Sequence, residues 1–110
     1  MSWGTVEIGP EVKEWMDTLT NTELATVIRQ LDRLEDLGVL LPHPFSSQIQ
    51  GKLRELRFHL QSGQFRITYF ITTKRRIVLL TVFRKSKGKE SREIKRALQK
   101  MKDYNHLDIN

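Results

Sequence analysis

The chain has no cysteine, so disulfides, thiolate metal sites and cysteine nucleophiles are excluded, and nothing argues for an oxidising compartment. Long apolar runs are missing as well: no stretch approaches the roughly 18 residues that suggest a membrane span. The opening MSWGTVEIGPEV has neither the basic start nor the apolar run of a signal peptide. The six glycines are scattered rather than gathered into a phosphate-cradling loop, and no serine stands in a nucleophile-elbow sequence. The expectation is a soluble, cytoplasmic protein with one domain over residues 1–110, long enough to bury a single modest core.

What the chain has in excess is positive charge, unevenly placed. The first fifty residues carry Lys13, Arg29 and Arg33 against eight acids, a net of −5. Residues 51–110 carry sixteen Lys and Arg against five acids, a net of +11. A basic half on an acidic scaffold points to a polyanion, because each phosphate contact releases counterions. A solvated basic surface with no partner is the competing reading.

Periodicity divides the chain into elements. SWGTVEIG reads as a short first strand, and Pro10 suits the first turn of a helix carrying Val12, Trp15, Met16 and Leu19 at helical spacing. Thr20 followed by Glu23 is a capping-box pattern, which starts a second helix with Leu24, Val27, Ile28, Leu31 and Leu34 on one stripe and Gly38 as its stop. The two should pack as an antiparallel helical hairpin. LLPHPFSSQIQGK reads as a loop, followed by strands near 53–60, 64–72 and 75–84. The last of these, RRIVLLTVFR, is nearly continuously apolar, as expected of a central strand covered on both faces. A final helix near Ser91 carries a stripe of Ile94, Ala97, Leu98 and Met101. The predicted order is β-α-α-β-β-β-α, an α+β domain with helices on one face of an antiparallel sheet.

On the hairpin, Leu56, Phe58 and Leu60 alternate with Arg57 and His59, and Phe65, Ile67, Tyr69 and Ile71 alternate with Arg66 and Thr68. One face is therefore core, and the other collects Arg57, His59 and Arg66. Arg84 and Lys85 end the next strand, and Lys87 and Lys89 extend the cluster into the following loop. With the strands adjacent, these cations converge on one patch. Such a patch suits RNA, since guanidinium and ammonium groups hold a scissile phosphate and stabilise the charge that builds on it. A 2′-hydroxyl would be the internal nucleophile, and no metal or other cofactor is required. Histidine is the residue type that exchanges protons near neutral pH, which makes His59 a candidate for proton transfer. Two structural readings compete: a salt bridge from Arg57 to Glu55 on the same face, and an ordinary half-exposed strand histidine at 59. His43 lies between two prolines and His106 near the chain end, with no spacing that pairs them as metal ligands.

The segments KLRELRFHLQSGQFRITYF, RRIVLLTVFRKSKGK and SREIKRALQKMKDY resemble toxins of the RelE superfamily, in particular its HigB-like, phage-derived branch. The Glu-Leu-Arg, Arg-Ile-x-Tyr and Phe-x-Lys motifs fall in order at the expected intervals, and the likeness extends upstream through PEVKEWMDTL and LDRLEDLG. The resemblance implies a microbial-RNase-like fold and the toxin of a type II toxin–antitoxin pair. It further implies metal-independent mRNA cleavage in the ribosomal A site, leaving a 2′,3′-cyclic phosphate and a 5′-hydroxyl. The implied partners are the ribosome, mRNA and a helix-turn-helix antitoxin, with no membrane. Carried over residue by residue, Arg57, Arg66 and Lys85 occupy motif positions for basic groups around the phosphate. Arg54, Arg84, Lys87 and Lys89 complete the expected RNA and ribosome contacts. For proton transfer, some members place a tyrosine on the last helix, where SREIKRAL has none. Tyr104 is a possible substitute, or an aromatic cap on that helix, so the resemblance leaves three options: His59, Tyr104 or no discrete base. Two further readings stand beside the nuclease: a non-catalytic gyrase inhibitor like the ParE toxins, and a module that binds RNA without cutting it.

Overall fold

In the computed structural model, which describes residues 2–88 and 90–108 (side chains through 105), the reciprocal capping box forms as the Thr20–Glu23 spacing predicts. The Glu23 N–H donates to the Thr20 hydroxyl at 3.2 Å, and the Thr20 N–H donates to the Glu23 carboxylate at 3.3 Å. A cap of this kind contributes about 1 kcal/mol to its helix. It starts α2, Asn21–Leu37. The preceding α1, Pro10–Met16, places proline in its first turn, where the missing N–H is no loss. Gly38 ends α2 at φ 51°, and a Cβ there would lie 2.0 Å from the Trp3 ring, so both backbone and packing require glycine.

Five strands form one sheet: β1 (Thr5–Ile8), β2 (Ser46–Gln50), β3 (Leu53–Leu60), β4 (Gly63–Ile71) and β5 (Arg76–Arg84), in the spatial order β1-β5-β4-β3-β2. The last helix, α3, spans Glu90–Asp108. The α+β class holds, with three differences from the sequence reading. Ser46–Gln50, expected within a loop, is a strand on the sheet edge. Only Ile49 is apolar in SSQIQ, and such an edge strand leaves little periodic signal. Second, β1 runs parallel to β5, while the remaining pairs are antiparallel as expected. Third, the helices cover both faces rather than one.

The two faces follow from strand parity. Leu56, Phe58, Leu60, Phe65, Ile67, Tyr69, Ile77 and Leu79 point toward α1 and α2, where they meet Val12, Val27, Leu31 and Leu34. Trp15 packs against Phe65 and Phe58 with ring centroids 5.3 and 6.1 Å away. Leu53, Phe70, Val78 and Leu80, of opposite parity, meet Ile94, Ala97, Leu98 and Met101 of α3, the stripe expected from sequence. Full burial of each such side chain is worth about 1.5–3 kcal/mol, so both layers hold the sheet. β5 contributes to both clusters, as its apolar run implied. Among the described residues, no helix is long and apolar enough to cross a membrane.

A bulge interrupts the β4–β5 pairing: Thr68 opposes Thr81 while Tyr69 opposes Leu79, leaving Leu80 as the extra residue. The buried Thr68 hydroxyl fills the gap, accepting from the Thr81 N–H at 3.1 Å and lying 2.5 Å from the Thr81 hydroxyl. Beyond the bulge the strands carry the cationic end of the sheet.

Candidate nucleic-acid interface

The α3 stripe packs at the Leu53–Phe70 end of its sheet face. At the other end of that face, Arg57 lies directly opposite Arg66 and His59 opposite Gln64 across β3 and β4. Two guanidiniums in register repel unless something compensates them. Glu55 does so: its Oε1 lies 3.0 Å from Arg57 Nη2 and 3.8 Å from Arg66 Nε. The competing sequence reading, a Glu55–Arg57 ion pair, is thus present, and the carboxylate also reaches toward Arg66. Two cations share one anion, leaving the trio positive.

Arg66 is the unusual member. It is 6 % exposed, its Nη1 donates to the Phe65 carbonyl at 3.2 Å, and its Nε has no hydrogen-bond partner. Burial pulls the guanidinium pKa below its ordinary value; Glu55 opposes that shift and the neighbouring Arg57 adds to it. An arginine nonetheless stays charged at neutral pH. A buried, incompletely satisfied cation is costly by itself and is stabilised by any anion that reaches it.

The surface beside it is concave. A hollow of about 520 Å³ is lined by Arg57, Phe58, His59, Gln64 and Arg66 from the hairpin, and by Gln30, Arg33, Pro44 and Phe45 from α2 and the loop before β2. Gln64 also lines a neighbouring hollow of about 470 Å³, with Gly63, Arg84, Lys85, Ser86, Lys87, Gly88 and Glu90. The Lys85 N–H donates to the Gln64 carbonyl at 2.8 Å, which continues the β4–β5 ladder to this point. Gly63 sits at φ 141°, and a Cβ there would fall 2.7 Å from Arg84 Nε, so this turn needs glycine to let the arginine lie across it.

The structure therefore gathers Arg57, His59 and Arg66 in one hollow and Arg84, Lys85 and Lys87 in the next, with Gln64 between them. It does not gather the rest. Arg54 alternates onto the opposite face, and its Nη2 reaches the Ser46 hydroxyl at 3.4 Å. Tyr104 packs edge-on against Phe70 at 5.3 Å and hydrogen-bonds Arg76, which pairs with Glu7. Phe70 is four residues along β4 from Arg66, or about 13 Å at strand rise, so Tyr104 belongs to the far end of the sheet. Its position matches the aromatic-cap reading rather than a role beside the cations. Lys89 lies outside the described residues.

The hollow also has members that the sequence reading did not assign. Arg33 comes from the acidic half of the chain, and Phe45 from the proline-rich segment. His43 Nε2 lies 3.5 Å from Arg57 Nη1. The local signal was slight: Arg33 is one of two cations, with Arg29, on a helix that carries four acids. Among the described residues, no group of three or more His, Asp or Glu could hold a metal ion.

The arrangement can hold an anion between two guanidiniums while an imidazole stands alongside, and it can pass a chain of phosphates to the lysine-lined neighbour. Similar proteins bear on the family and the fold. A family model described as Phage derived protein Gp49-like matches residues 14–102. No curated protein matches the sequence. Among solved structures, a free-state double mutant of the E. coli toxin RelE matches with a TM-score of 0.62 at 13% identity, over 90% of this chain and 97% of that one. The RelBE2 toxin–antitoxin complex from Mycobacterium tuberculosis matches with a TM-score of 0.52 at 19% identity, over 74% of this chain and 98% of its own. At such identities the likeness speaks to fold, whereas the family match covers most of the sequence. The chain belongs to the phage-derived Gp49-like family and has the fold of RelE-superfamily toxins, as the motifs of its central block implied.

Proposed function

We propose that this protein is the toxin of a type II toxin–antitoxin pair and acts as a ribosome-dependent endoribonuclease on mRNA in the cytoplasm. One observation carries the reading: Arg66 is buried, lacks a hydrogen-bond partner at Nε, and lines a hollow beside Arg57 and His59. A phosphodiester seated there would supply the missing acceptor. In the reaction, the 2′-oxygen bonds to phosphorus while the bond to the 5′-oxygen breaks, giving a 2′,3′-cyclic phosphate and a 5′-hydroxyl. The guanidiniums of Arg57 and Arg66 stabilise the extra charge on the phosphoryl oxygens, an effect worth several kcal/mol at a preorganised site. His59 is exposed on the rim and is our candidate to take the 2′-proton or return one to the leaving oxygen. Lys85, Lys87 and Arg84 hold the next phosphates. The whole chain, residues 1–110, acts as one toxin domain in this reading, with a helix-turn-helix antitoxin as its neutralising partner. The RelBE2 toxin–antitoxin complex supports an antitoxin partner.

A second reading has its own support. Glu55 already binds Arg57 and approaches Arg66, as it would if the cations served the fold and the protein inhibited gyrase without cutting RNA. Mapping of 5′ ends on cellular mRNA after induction separates the two. New discrete ends support cleavage, whereas intact transcripts with DNA damage support gyrase inhibition. Intact transcripts that co-purify with the protein would support the RNA-binding module.

A further inference from the structure

The wall of the hollow opposite the cations is built differently from the hairpin wall. Phe45 is 40% exposed and borders the hollow. Its ring is not loose. The Arg33 guanidinium lies over it, 4.1 Å from the centroid, and Arg33 Nη2 is fixed by Gln30 Oε1 at 2.5 Å. Arg33 Nε is buried without a hydrogen-bond partner, so the guanidinium is committed to the ring and to Gln30. The backbone ties this wall to the other one: the Arg57 N–H donates to the Phe45 carbonyl at 2.8 Å, and the Phe45 N–H donates to Pro42 at 3.0 Å. The backbones of Phe45 and Arg57 are thus anchored to each other by a direct hydrogen bond.

We infer that Phe45, held by Arg33, is a stacking platform for one unpaired nucleobase of a single-stranded RNA whose phosphate lies on Arg57 and Arg66. The inference rests on the RNA reading of the hollow and adds the base subsite to it. Unpaired bases splay onto aromatic rings and guanidinium planes, whereas paired bases are already stacked and cannot enter. Stacking is tolerant of base identity because every base has a π-face. Gln30 lines the hollow with its amide oxygen occupied by Arg33, which leaves the NH₂ as a donor for a base acceptor.

The test uses two probes at low salt: a short 2′-O-methylated RNA strand, which cannot be cleaved, and the same strand with its bases removed. Binding is followed by fluorescence anisotropy for the parent chain, Phe45→Ala, Phe45→Trp and Arg66→Ala, each checked for folding by circular dichroism. Phe45→Ala should weaken the base-bearing strand about 5- to 100-fold and leave the abasic strand unchanged. Phe45→Trp should bind the base-bearing strand like the parent, and its added fluorescence should be quenched by that strand alone. Arg66→Ala should weaken both strands equally. If Phe45→Ala leaves both strands unaffected, or weakens both alike, while Arg66→Ala weakens both, the platform is refuted and the phosphate site stands. If the parent binds neither strand, or no variant alters binding, the platform is refuted, and the cleavage reading then stands or falls with the 5′-end mapping.

Discussion

Glu55 and Arg57 stand two residues apart on β3, and the guanidinium closes on a single carboxylate oxygen through Nε at 3.1 Å and Nη2 at 3.0 Å. The same oxygen is 3.8 Å from the Arg66 Nε. The Glu-Leu-Arg motif therefore supplies both a cation for the hollow and the anion that lets two cations stand side by side.

That relationship predicts an order of stabilities. Glu55→Gln leaves the buried Arg66 without its counter-charge, at a cost of about 2 kcal/mol. Arg57→Ala removes a partly exposed partner and should cost less than about 1 kcal/mol. Urea denaturation of the two variants checks the order. Equal losses would mean that Glu55 serves Arg57 alone.

The bulge makes a second prediction. Thr68→Val leaves the buried Thr81 N–H without an acceptor, whereas Thr81→Val removes only a hydroxyl. The first should cost about 2 kcal/mol and the second about half of that. The comparison needs only thermal or urea unfolding, and a reversed order would contradict the bonding assigned to the bulge.

A third concerns pH. Glu11, on α1, accepts from the Val82 N–H at 2.9 Å and from Lys100 at 2.9 Å, and it also hydrogen-bonds Arg96. Burial raises its pKa, but the bonds from Arg96, Lys100 and the Val82 amide together outweigh that and hold it below the ordinary glutamate value. A depressed carboxyl contributes stability that is complete above the unfolded pKa, near 4.3, and is lost as pH falls through the folded value. Glu11→Gln should thus be less stable than the parent at pH 7, and the gap should narrow below about pH 4. A gap that stays constant from pH 7 to pH 3 would place the contribution elsewhere.

Proton transfer gives a fourth. His59→Ala should slow cleavage of mRNA on programmed ribosomes by about 100-fold, the usual scale for a general acid–base group. Tyr104→Phe should cleave like the parent, because Tyr104 stands with Phe70 and Arg76 at the far end of the sheet. Loss of activity in Tyr104→Phe with His59→Ala unaffected would reverse the assignment.

How far the sequence could be read depended on the range of each interaction. The Thr20–Glu23 box and the alternation from Leu56 to Ile71 are local patterns, and both appear as expected. The parallel pairing of β1 with β5 joins segments some seventy residues apart, and nothing within Thr5–Ile8 encodes it. The Ser46–Gln50 strand was hidden by its polarity, because an edge strand needs few apolar residues. The expectation that every helix lay on one face failed for a related reason: Leu53 and Phe70 are the apolar members of the hairpin's otherwise polar parity, and with Val78 of β5 they mark where α3 sits. The candidate site was legible where it lay on the hairpin, in that Arg57, His59 and Arg66 line one hollow. Its second wall, Arg33 and Phe45, comes from elements with other periodicities and is assembled by packing alone.

The central claim is that the guanidiniums on β3 and β4 hold a scissile phosphate. It is tested most directly by primer extension on mRNA from cells expressing the parent, Arg66→Ala or Arg57→Ala, with soluble, folded protein verified for each. The account predicts discrete new 5′ ends with the parent and their loss in both variants, together with relief of growth arrest. The same ends at the same intensity from a folded Arg66→Ala protein would contradict it.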